Sequence, residues 1–181
     1  MAVADLHPDI TMAEVQARVP SARRALFRHY HLGGCSSCAF SPSETLAQLA
    51  ARASVDPKDM IAALLASAEA DEAILLDPAE LKQWRDEGKP HLLCDVRSRE
   101  EFEAVHIPGA RFLTQDLVAE LMAGDKSQPI VFCCHQGLHA LDTAAYFQGH
   151  GFTQIRCLRG GVDAWAEHID PTMPRYHLER S

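Results

Sequence analysis

Two periodicities divide the chain near residue 77. Before it, apolar residues recur at helical spacing: Leu46, Leu49 and Ala50 in one stretch, and Met60, Ile61, Leu64 and Leu65 in another. Start signals accompany them. Thr11 with Glu14 reads as a capping box that opens a first helix leading to HYHLGGCSSCAF. Ser41-Pro42-Ser43-Glu44 reads as a second box with proline at its first helical position, and Asp56-Pro57 opens a helix ending near Ser67. These signals predict a small all-α domain over residues 1–70. From residue 77 the pattern changes to short apolar runs, HLLCDV, PIVFCC and TQIRCL, separated by helix-like SREEFEAV and HALDTAAYFQGH. Runs apolar on both faces are strands of a buried parallel sheet, so an α/β domain with a parallel sheet flanked by helices is expected over 77–181. ASAEADEAILLDP, around Ala66 to Pro78, reads as the linker. Trp84 and Trp165, at helical positions, are expected core anchors.

Composition narrows the function classes. The chain has 181 residues, 47% of them hydrophobic, which suffices for one domain or two small ones. A formal charge of -8 offers no basic stripe for a phosphate backbone, which argues against nucleic acid. Apolar runs such as MIAALLA are too short to cross a bilayer, which argues against a membrane partner. MAVADLHPDI is acidic where a signal peptide needs a basic start, so a cytoplasmic location is expected. Six cysteines would there be thiols rather than disulfides. Cys94 and Cys157 lie inside apolar runs, Cys133 and Cys134 are neighbours, and Cys35 and Cys38 have a spacing used in redox or metal chemistry.

Cys134 ends a strand, where ligands bind in open α/β sheets. Its thiolate would face the backbone N–H groups of the tight loop His135, Gln136, Gly137, Leu138, His139 and the positive end of the following helix. That setting is expected to lower the thiol pKa from about 8.5 toward neutrality and to hold a terminal anion. Cys133 should point to the opposite face, into the core. His135 and His139 either raise the thiolate fraction or face solvent. Asp95 and Arg97 are expected to orient the strand end and neighbouring loops, and His106 to be structural. Arg159 is read as structural too, or as a contact for an anionic donor.

Residues from about 77 to 176 resemble a single rhodanese domain. CDVRSREEFEAVHIPGARFL carries the D-x-R, E-F and H-I-P-G-A pattern, PIVFCCHQGLHALDTAAYFQGHGF the active-site strand, loop and helix, and LRGGVDAW the later G-G-x-x-A-W. The resemblance implies a rhodanese-like α/β fold with the nucleophile at Cys134 and ping-pong sulfur transfer through a persulfide. The donor would be thiosulfate or a low-molecular-weight or protein persulfide, and the acceptor a thiol or sulfur-carrier protein. No metal or other cofactor is implied. His139 and Ala140 stand where many rhodaneses have arginine and serine. Losing the arginine weakens the grip on a doubly charged donor, favours a persulfide donor, and argues against the related phosphatase chemistry. The alternative is a catalytically weak rhodanese-like module that binds a partner or senses redox state.

Residues 10 to 67, with GGCSSCAFSPSETL and VDPKDMIAALL, resemble the small helical CxxC domain found beside hybrid-cluster proteins. Three roles stay open for Cys35 and Cys38. They cycle as a disulfide or relay sulfur from Cys134, they bind metal together with His29 and His31, or they form a structural or dimer-forming turn.

Overall fold

The computed structural model describes residues 5–33 and 39–176. The chain divides into two compact units, Met1–Ala73 and Ile74–Ser181.

The first unit holds helices α1 (Met12–Arg18), α2 (Ala22–Tyr30), α3 (Leu46–Arg52) and α4 (Pro57–Ile74). Met12, Val15, Leu26, Leu46, Leu49, Met60 and Leu64 form its buried core. Thr11 makes the expected capping box with Glu14. Two helices, not one, precede HYHLGG, because Pro20 lacks the N–H that would continue α1. Ser41–Glu44 is not a helix start either. The Pro42 and Glu44 carbonyls accept from Ala13 and Met12 N–H at 2.9 Å, so this segment satisfies the orphan donors of α1. Thr45 caps α3 instead, in a box with Gln48. The predicted linker is also corrected: α4 continues to Ile74 through ASAEADEA, a stretch of good helix formers without glycine or proline.

In the second unit, all strands run parallel in the order β1 (Leu75–Leu76), β5 (Ile155–Leu158), β4 (Ile130–Cys133), β2 (Leu92–Asp95), β3 (Arg111–Phe112). The three apolar runs became β2, β4 and β5. Strands β1 and β3, two residues each, are too short to leave a periodic signal. Helices are α5 (Pro78–Asp86), α6 (Arg99–Ala104), α7 (Gln115–Ala123), α8 (Leu138–Gly149) and α9 (Gly161–His168). Cys94, Phe132 and Cys157 stand in register across β2, β4 and β5, and pack with Leu117 and Leu121 of α7 and Ala144 and Phe147 of α8. Leu93, Val131, Cys133 and Leu158 point to the other face, against Leu81 of α5 and Val162 and Trp165 of α9. Trp165 is buried there and Trp84 partly so. Central strand β4 therefore delivers its carboxyl end between two helical layers. No helix among the described residues is long and apolar enough to cross a membrane.

Candidate functional site

The last residue of β4 and the one after it diverge. Cys133 lies on the α5/α9 face, wholly buried, where burial and the neighbouring Asp95 carboxylate push its thiol well up. Cys134 lies on the α7/α8 face with 2% of its surface exposed. Period-two alternation separates the adjacent sulfurs.

The loop after Cys134 folds back on its sulfur. Gly137 takes a left-handed conformation at φ 86 and caps α8, and its N–H donates to Cys134 Sγ at 3.1 Å. Backbone N–H groups of Ala140, His139 and Gln136 also favour the thiolate. Burial nevertheless outweighs these donors, and the Cys134 thiol is raised rather than lowered. The expectation of a near-neutral thiol is corrected on this point. A sequence displays loop donors, but the loss of hydration depends on what packs over the sulfur.

The β5–α9 turn supports this loop from behind. Val162 and Asp163 N–H groups, at the start of α9, donate to the carbonyls of Cys134 and His135 at 2.9 and 3.1 Å. The approach requires glycine. A Cβ on Gly161 would lie 2.1 Å from the Cys134 oxygen and 2.5 Å from that of His135, and one on Gly137 would lie 2.9 Å from Gly160 N. All three glycines have positive φ.

Beneath the loop lies a buried ion pair. Arg97 Nη2 reaches Asp95 Oδ2 at 2.7 Å, with side chains 2% and 0% exposed, and Arg97 also donates to the Val105 carbonyl at 2.7 Å. Val96 N–H donates to the Cys133 carbonyl at 2.9 Å, which ties this turn to the end of β4.

Of the loop residues, His135 and Gly137 are buried, whereas Gln136, Leu138 and His139 are exposed. Ala140 is buried in the first turn of α8. No arginine or lysine lies between His135 and Ala140. His106 stacks on Phe102 with ring centroids 4.1 Å apart. Arg159 Nε pairs with Asp77 Oδ1 at 2.7 Å, and its N–H donates to the Leu76 carbonyl at 2.9 Å. It borders a cavity of about 390 Å³ with Pro78, Ala79, Ala164 and His168, which shares the Gly160 wall with the loop. His29 lies in the last turn of α2 and His31 is its left-handed C-cap. Cys35 and Cys38 lie outside the described residues. Among the described residues no three metal-ligating side chains cluster.

Sequence reasoning overlooked Tyr176, Glu101 and Asp163. Asp163 lies in the GGVDAW motif, where paired glycines signal a close approach. Tyr176 carried no local signal.

The sequence profile of the rhodanese-like domain matches residues 77–168. The thiosulfate sulfurtransferase GlpE of Pseudomonas savastanoi pv. phaseolicola is 31% identical over 100 residues, covering 54% of this chain and 92% of that protein. The probable adenylyltransferase/sulfurtransferase MoeZ of Mycobacterium tuberculosis is 31% identical over 113 residues, 61% of this chain and 29% of that protein. The chain thus spans under a third of the larger relative. The solved structure of human single-domain sulfurtransferase TSTD1 has 26% identity and a TM-score of 0.46, covering 52% of this chain and 96% of that one.

Proposed function

The chain belongs to the rhodanese-like domain family, and from that premise we propose that it is a sulfurtransferase carrying sulfane sulfur as a persulfide on Cys134. The observation that carries the reading is the convergence of backbone N–H groups from Gln136, Gly137, His139 and Ala140 on one buried sulfur at a strand end. Such donors, fixed before any reaction, stabilise negative charge at little reorganisation cost.

The chemistry needs only a nucleophile and a leaving group. Cys134 sulfur attacks the outer sulfur of a donor R–S–S(-), the S–S bond breaks, and the thiol proton of Cys134 ends on the departing R–S(-). The product Cys134–S–S(-) keeps its terminal charge under the loop donors. An acceptor thiolate then attacks that outer sulfur and Cys134 leaves as thiolate. Cys35 or Cys38 is one acceptor in this reading, and an external thiol or sulfur-carrier protein is another. With thiosulfate as donor the leaving group is sulfite.

A singly charged persulfide suits the site better than doubly charged thiosulfate. The loop offers backbone dipoles but no guanidinium or ammonium, and each added charge brought into a buried site raises the desolvation cost.

Intact mass of the reduced protein before and after glutathione persulfide tests the reading. A gain of about 32 Da that Cys134→Ser abolishes is the expected result. No gain under conditions where a control rhodanese loads would overturn it and leave the loop as a recognition surface. Loading that survives Cys134→Ser would move the nucleophile to another cysteine.

A further inference from the structure

His135 follows the sulfur directly, and its ring is held in an unusual way. It is 8% exposed, its Nδ1 is buried without a hydrogen-bond partner, and one face meets Tyr176 with centroids 4.4 Å apart at 34°. Tyr176 belongs to the segment after α9, far from the loop in sequence. Its hydroxyl is fixed on both sides, accepting from Arg97 Nη1 at 2.7 Å and donating to Glu101 Oε1 at 2.7 Å. Arg97 is in turn locked to Asp95 and to the Val105 carbonyl.

Arg175, the preceding residue, ties the same segment to α9. It reaches Asp163 Oδ1 at 2.7 Å and Glu167 Oε2 at 3.1 Å. Asp163 N–H holds the His135 carbonyl. Adjacent residues of one segment after α9 therefore grip His135 from two sides, its ring through Tyr176 and its backbone through the helix that Arg175 binds. Burial and the Glu101 carboxylate push the Tyr176 hydroxyl up to about 12, so it stays a donor throughout the neutral range.

We propose that Tyr176 is a positioning residue for the Cys134 loop: its ring pins His135, and its hydroxyl anchors that contact to the buried Asp95–Arg97 pair. Without the pin, the loop N–H groups lose their common focus on the sulfur. The proposal rests on Cys134 being the reactive sulfur, and it holds for any chemistry done there.

The test is the pH dependence of Cys134 alkylation by iodoacetamide in the full chain, read by peptide mass spectrometry for the parent, Tyr176→Ala, Tyr176→Phe, His135→Ala and the double variant. The loop N–H groups hold the thiol down against burial, so Tyr176→Ala should move the midpoint up by about one pH unit, giving about tenfold less thiolate near neutrality. Persulfide loading should fall in the same variant as its donors disperse. Tyr176→Phe keeps the ring and should lie between parent and Tyr176→Ala. Adding His135→Ala to Tyr176→Ala should change little, because both remove one contact. An unchanged midpoint in Tyr176→Ala, or full additivity with His135→Ala, would overturn the proposal. A parent that alkylates at Cys134 but loads no sulfur would refute the sulfurtransferase reading while leaving the positioning role of Tyr176 intact.

Discussion

Two neighbouring turns at the carboxyl edge of the sheet begin in the same way and do different work. The β4–α8 turn and the β5–α9 turn each enter a helix through a left-handed glycine, Gly137 at φ 86 and Gly160 at φ 67, with no side-chain cap. Each leaves the first N–H groups of its helix without intrahelical acceptors. After β4 those donors converge on the sulfur of Cys134, whereas after β5 they are taken by the carbonyls of Cys134 and His135. One helix start is kept for a reacting anion, and the other holds the first in place. The same local geometry becomes site or scaffold according to what stands opposite it.

Glycine substitutions separate the two roles. Gly161→Ala should have the largest effect, about 4 kcal/mol of stability or failure to fold, because a left-handed alanine would also drive its methyl into backbone oxygens. Gly137→Ala should cost about 2 to 3 kcal/mol and suppress Cys134 loading, since its overlap with Gly160 is milder but displaces a donor 3.1 Å from the sulfur. Gly88→Ala supplies the baseline, at about 1 kcal/mol, for positive φ in open space. Denaturant melts of the three give the order, and equal losses would mean that backbone overlap adds nothing to the conformational strain.

Reactivity sharpens the comparison further. Burial raises the thiol against the loop donors, so Cys134 alkylation in the parent should keep rising with pH beyond the range of an ordinary free thiol. A rate that levels off near neutrality would show that the donors win. Cys94, pushed up to about 12 by burial, and Cys133 should stay unmodified over the same range. The smallest expected effect concerns Glu101. Burial pushes its carboxyl up, but Tyr176, Ser98 and Arg97 together hold it below the usual value. A lowered folded pKa gives stability that is present above the unfolded pKa and lost as pH falls through the folded one. Glu101→Gln should therefore lower stability slightly at neutral pH and flatten the acid limb below about pH 4.5, the variant and the parent converging at low pH, as thermal melts across pH would record.

Much of the fold was legible because its signals are local. Apolar runs marked β2, β4 and β5, and the Thr11–Glu14 box marked the start of α1. The start of α3 was misread because Pro42 and Glu44 carbonyls serve a different helix, a contact across dozens of residues that no local motif announces. Helix α4 overran the predicted linker because charged residues do not prevent helix in a run of alanine and glutamate. Strands β1 and β3 escaped because two residues carry no period.

For the site, sequence alone determined that Cys134 lies at the carboxyl end of a strand, that Cys133 faces away, and that a glycine turn and a helix follow. Chain periodicity and glycine placement fix those features wherever the segment folds. Tertiary structure decided the rest: the upward shift of the thiol, the support of the loop by α9, the pairing of Arg159 with Asp77, and the seating of Tyr176 on His135. Each depends on desolvation or contact between segments distant in sequence, and such energies arise only when the chain closes on itself.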